Sequence, residues 1–393
     1  MRRLLLGFVA GVTVGYTACR VVQSMRVLQN PPPPLPKDAA RYGRLRRGLA
    51  LTGTLRSLAS AAAFASGGAA ASLARPLKFA PVALRPAFFV WGGLLASSIL
   101  ELPAAYFEDH EFERRFGLTE QSSRDWFIEH LKGEAIGAMV MSALSVPFAT
   151  LLRKKPDRWP LFTTLGLVPL SVLAGLIVPV FIAPLFNKFE PLTGALEERL
   201  RALARRYGVG DADILRMDMS RQTKKANAYV TGMFKTHRIV IGDTLLETFP
   251  DAEIEFVVAH ELGHYLSHDS WRMTALGVAS AVSMFVLSNA MIPPAKRREF
   301  DDPARLYELY AWMLAFSALL RLPVFAFSRS REWAADEFAA AATGAPKTGA
   351  AAFKRLREQN LAEEEVPRWY ELLFSSHPSL GERIRALQEG PLH

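Results

Sequence analysis

Three stretches without a charged side chain, residues 135–152, 159–187 and 273–295, set the class of this chain. An α-helix rises 1.5 Å per residue, so about 20 apolar residues cross the hydrocarbon core of a bilayer. A water-soluble helix shows its apolar residues on one face only; these blocks are apolar all round. Four further segments join them as candidate spans. Residues 4–19 follow a basic start and fit either a span or a cleaved signal. Residues 57–74 are uncharged and rich in Ala, Ser and Gly, which suits close contact between helices. Residues 86–100 continue toward Tyr106 through Glu101, and 309–328 are interrupted only by Arg321. The expectation is a predominantly α-helical, multi-pass membrane protein with about seven spans. A charge at membrane depth avoids lipid, so Glu101 and Arg321 either snorkel from span ends or face a polar cavity.

Cys19 is the single cysteine, which excludes an intrachain disulfide and any cysteine-based zinc cluster. The net charge of +9 sits largely in loops such as RYGRLRR and LLRKKPDR beside the spans. Basic loops there meet anionic lipid headgroups; nucleic acid is not an expected partner. The chain divides into an N-terminal membrane region, 1–187, and a second region, 188–393, which holds the spans near 273–295 and 309–328. Within the first, residues 107–133 are charged and aromatic and read as helices outside the bilayer. Within the second, a charged amphipathic helix ends at Gly208 or Gly210. Two strand-like runs, 226–231 and 238–241, then flank a turn at Gly232 as a short β-hairpin or part of a small sheet.

The chemistry gathers in FVVAHELGHYLSHDSW. Residues four apart share one helical face, so His260 and His264 can aim at one point, with Glu261 beside them. Two neutral imidazoles and a carboxylate suit a catalytic zinc, which keeps one position open for water; Glu261 then serves as proton acceptor and donor. Asp251 reads as the cap of this helix. His268 lies two turns from His260 on an unbroken helix, and Ser267 stands where one protease class needs a turning glycine, so His268 is disfavoured as third ligand. SREWAADEF offers a better one. Glu332 completes the zinc set, while Asp336, four residues on, reaches the outer nitrogen of a ligating histidine. The bland alternative is a solvated face beside Arg329 and Arg331. His377 precedes a capping box, Ser379 with Glu382, and is either incidental or a donor to the oxyanion of amide attack.

Ordered blocks from Leu84 onward resemble the type I CAAX prenyl endopeptidases. They are LELPAAYFEDHEFERRFG, PVFIAPLFNKFEPL, ANAYVTG, HRIVIGDTLLE, VVAHELGHYLSHDS, SREWAADEFA and HPSLGERI. The resemblance implies seven spans around a water-filled chamber and a gluzincin-type metallopeptidase region. It implies one Zn(2+) per chain on His260, His264 and Glu332, with Glu261 as general base and Asp336 behind the ligands. Asn227, Ala228 and Tyr229 match the strand edge that pairs with substrate, and His377 and Arg383 match the polar pair around the scissile carbonyl. The lead-in RQTKKANAY departs from the family pattern at Lys224 and Lys225. The implied activity is hydrolysis of a peptide bond near the C-terminus of a membrane-associated or prenylated CaaX protein by zinc-activated water. The implied location is the bacterial inner membrane or the endoplasmic reticulum, with the catalytic region facing the cytoplasm. A heat-shock type quality-control metalloprotease is the alternative enzyme. A zinc-bearing scaffold is the alternative outside enzymes.

Overall fold

The computed structural model describes residues 34–66, 68–231, 237–300 and 305–390. The candidate span at 4–19 and the turn at Gly232 lie outside the described residues. Helices dominate. The first half carries α1 (Ala39–Ser66), α2 (Arg85–Ala105), α3 (Ser123–Lys154) and α4 (Trp159–Ile177). The second carries α5 (Ala195–Arg206), α6 (Asp251–Leu266), α7 (Asp269–Met291), α8 (Arg305–Thr343), α9 (Pro346–Gln359) and α10 (Leu380–Glu389).

Five described helical stretches are long and apolar enough to cross a membrane: Arg85–Arg115, Ser123–Lys154, Trp159–Leu185, Asp269–Met291 and Arg305–Thr343. They account for five of the expected spans. The candidate at 57–74 is not one continuous helix. α1 covers its first part, then Gly68 takes a left-handed φ of 77° and a separate short helix, Ala69–Ala74, begins. α1 packs along α8, and its Arg56 binds Glu101 at 2.6 Å and Glu108 at 3.1 Å. Glu101 is therefore paired inside the helix bundle. Residues 107–133 also differ from expectation. They form the ends of two spans: α2 runs through a π-helical turn (Tyr106–Glu111) into Phe112–Arg115, and α3 opens after the Ser122 cap.

The expected hairpin forms as part of a larger sheet. Strands β1 (Phe189–Pro191), β2 (Asp213–Met217), β3 (Ala228–Thr231) and β4 (Arg238–Gly242) lie in the order β1-β2-β4-β3. β3 pairs antiparallel with β4, Tyr229 opposite Val240, whereas β2 pairs parallel with β4. β3 is thus an edge strand. Ile239 and Ile241 of β4 pack with Leu200 and Leu203 of α5 and Ile254, Val258 and Leu262 of α6 in one buried core. α5 stops where expected, with Gly208 in the left-handed region at φ 77°.

Three details around α6 depart from the sequence-based expectation. Pro250, not Asp251, holds the cap position, and its carbonyl accepts from the N–H groups of Glu253 and Ile254. The helix does not run on through His268: that residue adopts φ 57°, and α7 starts at Asp269. Span 309–328 and the SREWAADEF segment are one helix, α8, of 39 residues, about 58 Å long at the usual rise.

Gly263 is where α6 and α8 meet. A Cβ built there would stand 3.0 Å from Phe338 Cδ1 and 3.2 Å from Ala335 Cα. Gly263→Val is expected to force the helices apart at an overpacking cost of about 1–3 kcal/mol. The change should appear as a lower unfolding temperature in detergent, whereas Gly277→Val, with nothing within 4 Å of the new Cβ, should leave it in place.

Candidate active site

On α6 the two histidine rings approach with Nε2 atoms 3.2 Å apart. Glu332 enters from α8: its Oε2 lies 3.4 Å from His260 Nε2 and its Oε1 3.3 Å from His264 Nε2. One donor atom from each of the three residues lies within 4.8 Å of the others. Ligands about 2.1 Å from a tetrahedral ion lie about 3.4 Å from one another, so these separations fit a cation held between them. The electrostatics fit it too. Glu332 Oε2 is buried without a hydrogen bond; Arg383 Nη1 stands 3.1 Å away but out of hydrogen-bonding alignment. An unsatisfied buried carboxylate oxygen is costly, and a cation relieves it. The solvated-face alternative for Glu332 and Asp336 fails, because each is only 4% exposed.

The outer nitrogens of both rings are held by carboxylates. His260 Nδ1 lies 2.8 Å from Asp336 Oδ1, as the sequence suggested. His264 Nδ1 lies 3.0 Å from Asp269 Oδ2, which it did not. Such partners fix the tautomer and orientation of a ligating imidazole. Each carboxylate has its own arginine. Arg331 Nε donates to Asp269 at 2.7 Å. Arg383 donates through Nε and Nη2 to Asp336 at 2.7 and 2.6 Å, with its guanidinium 4.2 Å from the Phe353 ring centre. Burial works against a charged His260, yet its bonds to Asp336 and Glu332 outweigh this and push its pKa up to about 9. A carboxylate on the outer nitrogen, as Asp336 is here, raises the basicity of a ligating imidazole.

Glu261 sits beside the ligands. Burial pushes its carboxyl pKa up against the pull of His260 and His264, and a backbone hydrogen bond from Val230 of β3 reaches it. A raised carboxyl suits a group that both takes and returns a proton near neutral pH. His377 arrives from the loop after the short helix Arg368–Phe374, with Nε2 3.3 Å from Glu332 Oε1 and Nδ1 2.9 Å from Ser376 Oγ. Arg329 fastens this loop by donating to the carbonyls of Ser375 at 2.7 Å and Glu371 at 3.0 Å. Ser379 caps α10, accepting from the Glu382 N–H at 3.3 Å.

Asn227 is exposed just ahead of β3; Ala228 and Tyr229 are the strand's first two residues. The divergent lysines before them are structural braces. Lys225 Nζ binds Glu113 at 2.8 Å and Tyr42 Oη at 2.9 Å, and Lys224 binds Glu120. His268 stays outside the site, exposed, with Nδ1 donating to the Leu266 carbonyl at 2.8 Å.

Sequence reasoning missed Asp269, Arg331 and Arg329. Asp269→Asn, which keeps the shape and removes the charge behind His264, should weaken divalent-metal affinity about 10- to 100-fold. Competition against a chromophoric chelator reads this directly.

Comparison with known proteins agrees with the geometry. Residues 191–390 match peptidase family M48, and residues 37–188 match the CAAX prenyl protease N-terminal family, described as five membrane helices. CAAX prenyl protease 1 of Saccharomyces cerevisiae is 26% identical over 337 residues, covering 79% of this chain and 74% of that one. A CAAX prenyl protease 1 homolog of Dictyostelium discoideum is 31% identical over 282 residues, 68% and 65% of the two chains. The crystal structure of S. mikatae Ste24p superposes with a TM-score of 0.80 at 23% identity, over 97% of both chains. Membrane helices and metal triad thus fall in one chain in the order the two family matches require, and the chain belongs to peptidase family M48, within its type I CAAX prenyl protease branch, as an integral-membrane metalloendopeptidase.

Proposed function

We propose that the chain is a zinc-dependent endopeptidase that hydrolyses a peptide bond near the C-terminus of prenylated, CaaX-type membrane proteins. The observation that carries this is the meeting of three elements: the ligand pair on α6, Glu332 on α8, and Glu261 under the backbone of edge strand β3. One zinc ion held by His260, His264 and Glu332 would supply Lewis acidity toward water and the scissile carbonyl.

The rest of the work belongs to the side chains. An extended substrate adds to the outer edge of β3 along Asn227, Ala228 and Tyr229, its backbone pairing with the amides and carbonyls that β4 leaves free. Glu261 accepts a proton from the attacking water as the new C–O bond forms. It returns that proton to the amide nitrogen as the C–N bond breaks, since an amine leaves only when protonated. His377 Nε2–H donates to the oxygen on which negative charge builds. Asp336 and Asp269 hold the imidazoles. Arg383, with its donors committed to Asp336 and facing Glu332, is a positioning residue and does not touch substrate.

In this reading residues 1–187 supply the membrane region and 188–393 the metallopeptidase region, with the catalytic side facing the cytoplasm. The basic loops after α3 and after α7 meet at one end of the bundle, where Arg297 binds Asp157 at 3.2 Å; that end faces away from the cytoplasm. Membrane lipids surround the spans.

Glu261→Gln is expected to slow hydrolysis of a farnesylated CaaX peptide about 10²- to 10⁴-fold with bound zinc unchanged; His260→Ala should lose both. An unprenylated twin should be a poorer substrate. Equal cleavage of the twin would remove lipid recognition from the proposal, and zinc-loaded protein that cuts neither peptide would overturn it.

A further inference from the structure

α1, the π turn of α2 and the N-terminal half of α8 line a half-open cavity of about 390 Å³, within the size range of small-ligand sites. Its wall is charged, with Arg46, Glu108, Asp109 and Arg321 among the lining residues. Most of these charges face one another. Glu108 binds Arg56 at 3.1 Å and its carbonyl accepts from Arg46, while Asp109 lies 3.7 Å from Arg46. Arg321 stands apart. Among the described residues it has no hydrogen bond and no ion pair, and its guanidinium lies 5.9 Å from the Phe325 ring centre. Charged groups within spans are costly and face partners or water-filled space; this guanidinium faces the cavity.

Two walls of the cavity lead to the active site. Arg321 and Glu332 share α8, eleven residues apart, which is about three turns and about 16 Å on nearly the same face. On the other wall, Arg46 lies 3.9 Å from Glu113, and Glu113 binds Lys225 at 2.8 Å, two residues before Asn227. The cavity therefore borders α8, which carries Glu332, and is tied through Arg46, Glu113 and Lys225 to the segment ahead of β3.

We propose that Arg321 binds the C-terminal carboxylate of the substrate, so that the cavity seats the residues on the leaving side of the cut bond. The proposal rests on the function assigned above. A guanidinium offers a carboxylate two parallel N–H donors, a match that a neutral terminus lacks. At about 3.3 Å per extended residue, about 16 Å spans at most five residues, fewer once the two side chains are counted. The protein thereby measures its cut from the chain's end.

The test separates binding from cleavage. A farnesylated CaaX peptide with a free C-terminal carboxylate and its C-terminal amide are titrated, by fluorescence anisotropy, onto zinc-loaded Glu261→Gln protein. The carboxylate form should bind at least tenfold tighter. In Glu261→Gln/Arg321→Met both peptides should bind alike, at the level of the amide, and Arg321→Lys should restore part of the difference. Equal binding of acid and amide to the Glu261→Gln protein overturns the proposal, as does a preference that survives Arg321→Met. A loss shared by both peptides, at unchanged zinc content, assigns Arg321 to structure and overturns it too. Cleavage assays on the unsubstituted protein report separately on the function itself: a protein that prefers the acid yet cuts neither peptide retains the carboxylate site and loses the assigned activity.

Discussion

The site depends on the Arg383 guanidinium. Glu332, Asp336 and Asp269 are buried acids around two imidazoles, and buried charge is tolerated only when it is paired and hydrogen-bonded. Arg383 grips Asp336 with two donors and faces Glu332 with a third nitrogen. It comes from α10, near the end of the described chain, and Asp336 and Glu332 come from α8. The clamp therefore ties the tail to the ligand helix, and the same tie orients His260 through Asp336.

A similar logic runs through the surroundings at lower stakes. Tyr42 of α1, Glu113 past the π turn and Lys225 ahead of β3 meet in one hydrogen-bonded group. Arg331 and Arg329, one and three residues before Glu332 on α8, hold Asp269 and the His377 loop. The helix that carries Glu332 thus also positions Asp269 and the His377 loop. Few of these bonds are exposed surface pairs, which contribute little in water; they gain weight from burial and from being joined.

Much of the site was legible in local spacing. His260 and His264 stand one turn apart, Glu332 and Asp336 repeat that interval, and charge-free runs mark the spans without reference to anything distant. The rest depended on long-range geometry or on backbone choices that leave no mark in composition. A histidine in the left-handed region carries no signature of the kind glycine does, so the break at His268 was invisible and Asp269 with it. In a continuous helix, a residue five positions after His264 points well away from it. The span 309–328 and the polar SREWAADEF segment read as separate elements, yet α8 runs through both, and Arg329 and Arg331 find partners in the loop before α10 and in Asp269. Parallel pairing of β2 with β4 joins segments far apart in sequence, and the two strand-like runs alone read as a simple hairpin. Residues 57–74 are divided between two helices: α1 carries the first part to Ser66, and a separate short helix begins at Ala69 after Gly68.

The turn at His268 has a mechanical consequence. α6, which carries His260 and His264, is embedded in a core shared with β4 and α5, whereas α7, from Asp269 onward, is long and apolar enough to cross a membrane. Asp269 is at once the first residue of that helix and the brace of His264. A displacement of α7 along its axis is thereby felt at one imidazole, because Asp269 Oδ2 lies 3.0 Å from His264 Nδ1.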